Sequence, residues 1–233
     1  ENVYDTIPSS SFGTTQAQIN SIIAPIYGEL KGVFPGDFFC LIEEASDMAI
    51  TPTRIGGDWW DGGYHMEMKR RNWTYMNSLN KNGWNECMDG IATCNMVYHM
   101  VGQNEAMSDE LKTQTFAEIR GVRAYWVYML VDNWGNAPLV TDFGTTDLPG
   151  MKNRAELFQF VVDELNEIKD QLPTNSDATY GKFTQGAAYT LLAKMYLNAE
   201  EWIGTAKWDE TIAACDKVLS MNYALEGDWK VNF

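Results

Sequence analysis

Apolar residues recur every three to four positions along most of this chain, the spacing that places them on one face of an α-helix. Ile19, Ile22, Ile23, Ile26 and Leu30 define a first helix, opened by a capping box between Thr15 and Gln18 and expected to kink at Pro25. Phe38, Leu41, Ile42 and Ala45 mark a second, over about Asp37 to Met48. Trp84, Cys87, Met88, Ile91, Cys94, Asn95 and Tyr98 mark a third, from Trp84 to about Val101. Ser108 caps the next, with Asp109 and Glu110 favourably placed in its first turn. Ile119, Val122, Trp126, Met129 and Leu130 line its buried face, Gly135 closes it as a left-handed cap, and Pro138, Leu139 and Val140 leave in extended form.

Asn153 and Glu156 start a further helix with the stripe Leu157, Val161, Leu165, Ile168 and Leu172, followed by Pro173. Thr184 caps one rich in Gly186, Ala187, Ala188 and Ala193, whose small side chains let a neighbour approach closely. A last helix presents Trp208, Ile212, Cys215 and Leu219, and a turn near Gly204 makes these two an antiparallel hairpin. Hairpins stacked in series give a tetratricopeptide-like solenoid. The reading is an all-α fold of stacked helix hairpins with few strands, forming a single domain over 1–233.

Between residues 49 and 83 the helical period disappears. Gly56, Gly57, Gly62 and Gly63 interrupt the chain, with aromatic and charged residues crowded between them. This predicts a long ordered loop, and loops of such length in compact domains are usually functional.

The 32 acidic against 17 basic residues leave a net charge of −15. Nucleic-acid binding rests on cations that neutralise phosphate, so this balance argues against DNA or RNA, and equally against an anionic lipid surface. No apolar run approaches the ~18 residues of a membrane helix. The four cysteines form no CxxC pair, and Cys87 and Cys94, on one helix, stand about 10 Å apart, too far for a disulfide. Free thiols and no zinc site are expected, and with only His65 and His99 a histidine-rich metal centre is out of reach. Glu43, Glu44 and Asp47 cluster on one helix, and a pair of carboxylates is what a glycosidase needs. Acidic residues one turn apart are more often a solvated face, and no phosphate-loop, nucleophile-elbow or zinc-protease motif occurs. No enzyme activity and no cofactor are expected.

The string EIRGVRAYW at 118–126, followed by NWGNAPLV at 133–140, resembles the signature helix and exit of the SusD/RagB family, nutrient-binding lipoproteins of the outer membrane. KFTQGAA at 182–188 with LLAKMYL at 191–197, and the stretch from Asn153 through Leu172-Pro173, are similar to its next repeat. TPTRIGGDWWDGG at 51–63, with Ser46-Asp47 before it and NWT at 72–74 after it, resembles the loop of the starch-binding members, where it carries much of the sugar platform. Family members are usually much longer, so the resemblance implies the N-terminal part of a longer protein. It also implies a lipid-bearing cysteine near the mature N-terminus, absent here, and therefore an anchor outside this chain.

Sugar chemistry suits the loop. A pyranose offers C–H groups on a flat face and hydroxyls at its rim. An indole covers the face while ordering few rotatable bonds, and hydrogen bonds from hydroxyls to charged groups contribute about 1.5–3 kcal/mol each. Trp59, Trp60, Tyr64 and Trp73 are the candidate flat surfaces; Arg54, Asp58 and Asp61 are the candidate rim. Each tryptophan can equally plug the loop onto the core, and the adjacent Trp59 and Trp60 point different ways, which makes at least one structural. Arg54 can equally pair with Asp47 or Asp58.

The family resemblance implies a surface-exposed, lipid-anchored glycan-binding protein that passes oligosaccharides to a SusC-like TonB-dependent transporter. The rival reading is a helical-repeat adaptor that binds protein alone and has no use for an aromatic loop.

Overall fold

The computed structural model describes residues 12–33, 36–221 and 223–232. Among them, helices dominate: α1 (Gln16–Val33), α2 (Asp37–Ala45), α3 (Tyr64–Arg70), α4 (Ser78–Gln103), α5 (Asp109–Asn133), α6 (Arg154–Ile168), α7 (Gln185–Leu197), α8 (Ala199–Ile203) and α9 (Trp208–Leu219). Two two-residue strands, β1 (Ala137–Pro138) and β2 (Met151–Lys152), pair antiparallel with Ala137 opposite Lys152. The all-α reading with few strands holds.

The helix starts follow from local hydrogen bonding. Thr15 Oγ1 accepts from the Gln18 amide at 3.3 Å while Gln18 Oε1 accepts from the Thr15 amide. Asn153 and Glu156 form a full capping box, and Ser108 and Thr184 each accept an amide of their own first turn. Gly135, at φ 79°, donates its amide to the Leu130 carbonyl at 2.9 Å and turns the chain out of α5. Asn153→Ala removes one such cap and is expected to lower stability by about 1 kcal/mol, read as a shift of the urea midpoint at unchanged slope. The first helix runs through Pro25 as a single element.

Neighbouring helices pack in pairs: α4 on α5, α5 on α6, α7 on α9, and α1 across α4. Trp126, Phe158, Ile119, Leu130, Leu157 and Leu165 are fully buried along the α4–α5–α6 seam. Close approach there depends on missing side chains, since a Cβ on Gly90 of α4 would lie 2.1 Å from the Trp126 ring. α9 packs closely along α7 as its small residues imply, while at Gly186 itself the close neighbour is the Tyr223 hydroxyl, beyond α9. Ala214 faces the interior, whereas Trp208, Ile212 and Leu219 of α9 are 48%, 59% and 80% exposed. The four thiols are unpaired; Cys87 and Cys94 are buried, Cys40 half-buried and Cys215 exposed.

The segment read as one irregular loop over 49–83 contains more order than its sequence period suggests. A 3₁₀ turn at Asp61–Gly63 leads into α3, and α4 begins at Ser78 rather than Trp84. The first turn of α4 is fixed by Asn77, whose side chain accepts from the Leu79 and Asn80 amides. Its buried face reads Leu79, Gly83, Cys87, and Gly83 interrupts the apolar pattern because a Cβ there would press on Leu41 and Phe38 at 3.0 and 3.3 Å.

Candidate ligand-binding site

Residues 54–63 form a compact double turn. The Arg54 amide donates to the Asp58 carbonyl at 2.9 Å, the Gly57 amide to the Arg54 carbonyl at 3.0 Å, and the Gly63 amide to the Trp60 carbonyl at 2.6 Å. Gly56, Gly57, Gly62 and Gly63 have φ between 69° and 102°, and Trp59 and Asp61 join them at 63° and 43°. Left-handed backbone is strained for side-chain-bearing residues, so the surrounding hydrogen bonds hold Trp59 and Asp61 in place against a local cost of about 1–3 kcal/mol each.

This backbone keeps both indoles outside the core. Trp59 is 52% and Trp60 55% exposed. The Trp60 ring lies along Gly63, where a Cβ would meet it at 3.1 Å; neither ring plugs the interior. The Arg54 guanidinium stands over the Trp59 ring, 6.0 Å from its centroid, and among the described residues it makes no ion pair. Asp47 instead pairs with Lys69 and Arg71, each at 3.5 Å. Asp58 is exposed. Tyr64 opens α3 half-buried, its ring 4.5 Å from that of His65, and burial followed by the nearby Asp61 carboxylate pushes its hydroxyl pKa up.

Trp73 belongs to a different feature. It is 39% exposed and lines a hollow of about 340 Å³ with Ile42, Ser46, Asn80, Asn133 and Trp134. Trp134 is fixed in that wall by donating Nε1–H to Asn80 Oδ1 at 2.7 Å and by an edge-on contact with Trp84 at 5.5 Å. Trp59 and Trp60 are not in its wall. The structure thus groups Arg54, Asp58, Trp59, Trp60 and Asp61 on one turn, places Tyr64 at its exit, and sets Trp73 on the neighbouring hollow. Asn80 falls within the segment read as loop, but Asn133 and Trp134, at the far end of α5, were not legible from that segment alone.

The helix carboxylates do not form a uniformly solvated face. Glu44 is 3% exposed; its Oε2 meets His65 Nδ1 at 2.7 Å, and its Oε1 accepts from Thr51 Oγ1. Thr51 and His65 flank the double turn, so these contacts tie the turn to α2. Elsewhere an apolar groove of about 700 Å³ lies between α1, α5 and α7, lined by Tyr27, Leu30, Val122, Tyr125 and Phe183 with Lys31, Lys182 and Lys194 at its edge. None of the seven candidate residues touches it.

No helix among the described residues is long and apolar enough to cross a membrane. Comparison with known proteins gives a consistent picture. Residues 5–197 match the SusD-like family model described as "Starch-binding associating with outer membrane". The starch-binding protein SusD of Bacteroides thetaiotaomicron is 32% identical over 123 residues, 53% of this chain and 22% of that protein. A laminarin-binding SusD-like protein shares the fold with a TM-score of 0.74 at 19% identity, over 89% of this chain and 44% of its own. A structure with xylogluco-oligosaccharide does so with a TM-score of 0.75 at 22% identity, over 92% and 43%. The chain spans under half the length of these solved structures, and its match covers about a fifth of the curated relative. With the family model covering most of its length and the same helical architecture, the chain belongs to the SusD-like family.

Proposed function

We propose that this chain is a non-enzymatic glycan-binding protein of a polysaccharide uptake system. It holds oligosaccharides through the 54–63 turn and Trp73 and delivers them to a SusC-like TonB-dependent transporter. Its place is the outer surface of the outer membrane, lipid-anchored through a segment outside this sequence, and residues 1–233 are the N-terminal helical domain of a longer family member. The observation that supports this most is the pair of half-exposed indoles, Trp59 and Trp60, presented by a strained, hydrogen-bonded turn with Arg54 beside them. Exposed rings on so ordered a backbone are ready-made surfaces for the flat face of a sugar, and Arg54, Asp58 and Asp61 supply charged partners for its rim. The ligands of the relatives, starch, laminarin and a xylogluco-oligosaccharide, support the class of ligand.

The test is affinity electrophoresis against a panel of polysaccharides, followed by calorimetry with the best of them. Three rings at about 1–1.5 kcal/mol each set the expectation that Trp59→Ala, Trp60→Ala and Trp73→Ala together weaken binding about a hundred-fold or more, with the melting temperature nearly unchanged. Retention of binding by the triple variant overturns the reading. An adaptor without sugar binding is favoured by one observation, the exposed apolar face of α9; under that reading wild type binds no glycan in the panel, and protein association is indifferent to the three substitutions.

A further inference from the structure

Beneath the platform, three side chains of metal-ligating type converge from two helices. Cys40 and Glu44 lie one turn apart on α2, and His65 reaches them from α3, with one ligand atom of each lying within 4.8 Å of the others. Glu44 and His65 are 3% and 7% exposed. We infer that Cys40, Glu44 and His65 form a binding site for a zinc-class divalent cation that fastens the sugar-binding turn to α2.

The donor set of thiol, imidazole and carboxylate is the one zinc selects. Tetrahedral coordination with a sulfur at about 2.3 Å and a nitrogen at about 2.0–2.1 Å separates the two by roughly 3.6 Å. With all three ligand atoms already within 4.8 Å of one another, the sulfur and nitrogen need to close by at most about 1 Å to meet that geometry. The neighbours of the ligands point the same way. A metal-bound histidine usually gives its other ring N–H to a carboxylate, and ligating carboxylates are themselves hydrogen-bonded. Here His65 faces Glu44 through Nδ1, while its Nε2 stands 3.6 Å from Asp61 Oδ2, and the second oxygen of Glu44 is already held by Thr51. Both outer partners belong to the platform segment, Thr51 just before the double turn and Asp61 inside it.

Without a metal, burial and then the Glu44 and Asp37 carboxylates push the Cys40 thiol pKa up, so the sulfur is protonated. A bound cation reverses that balance and takes the sulfur as thiolate. The thiol proton passes to solvent or buffer, and the neutral Nε2–H tautomer of His65 leaves Nδ1 and the carboxylate oxygen to the metal. Cys40 is half-buried, so a water from the open side completes the coordination.

The test uses the full chain with cobalt(II) as a spectroscopic probe and zinc in competition with a chromophoric chelator. The expected result is one equivalent of zinc bound and, with cobalt, a thiolate-to-metal charge-transfer band. Cys40→Ser abolishes the band, and His65→Gln weakens zinc binding at least ten-fold. Asp61→Asn, which touches only the outer partner, weakens it about ten-fold. Cys215→Ser, at the exposed thiol, changes nothing. As a readout free of folding effects in variants, zinc slows alkylation of Cys40 in the wild-type protein while Cys215 reacts at its usual rate, as followed by peptide mass spectrometry. Absence of the cobalt band, a band lost with Cys215→Ser but kept in Cys40→Ser, or unprotected Cys40 in saturating zinc each overturns the proposal. None of these readouts involves sugar, so they stand apart from the glycan-binding test.

Discussion

Glu164→Leu is expected to destabilise the protein by about 3–5 kcal/mol, the cost of leaving a buried charge without its partner. The stranded charge is Arg123, 6% exposed at its side chain and bonded through Nη2 to Glu164 Oε2 at 3.0 Å. Its remaining contacts, Asn95 Oδ1 at 3.0 Å and the Thr141 carbonyl at 3.2 Å, are neutral. The Tyr98 and Phe160 rings beside it, at 5.8 and 5.9 Å, exclude water without carrying charge. Removing Arg123 instead is milder for the acid, because Glu164 keeps two hydrogen-bonding nitrogens of Arg120. Arg120 in turn keeps Glu167, whose hydrogen bonds, ahead of those of Glu164, raise its pKa further. At roughly 2–4 °C per kcal/mol for a chain of this size, Glu164→Leu lowers the melting temperature by about 6–20 °C. The double variant Arg123→Met, Glu164→Leu recovers most of it, as buried ion pairs replaced by apolar residues commonly do. A loss below about 1 kcal/mol in the single variant would show that solvent reaches Arg123.

The second large effect is at Gly90. Helix propensity alone favours Gly90→Ala by about 1 kcal/mol, since the position lies mid-helix in α4. Packing reverses the sign. The new methyl carbon would sit 2.1 Å from Trp126 Cε2 and 2.5 Å from Cδ2 and Nε1, and Trp126 is fully buried. An indole wedged between helices has no empty volume to move into, so α4 and α5 must separate. The expected net loss is about 3 kcal/mol, at the upper end for overpacked cores, and chemical denaturation measures it. Combining Gly90→Ala with Trp126→Leu restores part of the loss; equal destabilisation in single and double variants would mean that the clash is not the cause.

Much of the architecture is written in local sequence. Thr15/Gln18, Ser108, Asn153/Glu156, Thr184 and Gly135 each act within a few residues of themselves, so their roles follow from residue type and spacing. The stripe of α6, from Leu157 to Ile168, is buried as its period implies. Where the reading fell short, the deciding contact was distant. Gly83 hid the first turn of α4 because its apolar neighbours, Leu41 and Phe38, are on α2. Glu44 looked solvated because its partners, Thr51 and His65, lie 7 and 21 residues ahead. For the 54–63 turn, the four glycines marked where the chain reverses. They did not give the left-handed backbone at Trp59 and Asp61, which turns both rings outward, since residues of those types rarely adopt it.

That unusual backbone has a consequence for recognition. A shelf shaped before its guest arrives has no freedom left to surrender at the encounter. Under the proposed function, saccharide capture is then limited by collision and departure instead of rearrangement. Such a shelf also cannot remould itself, so under the same proposal a polymer that does not fit its fixed shape forfeits contact with one of the two indoles.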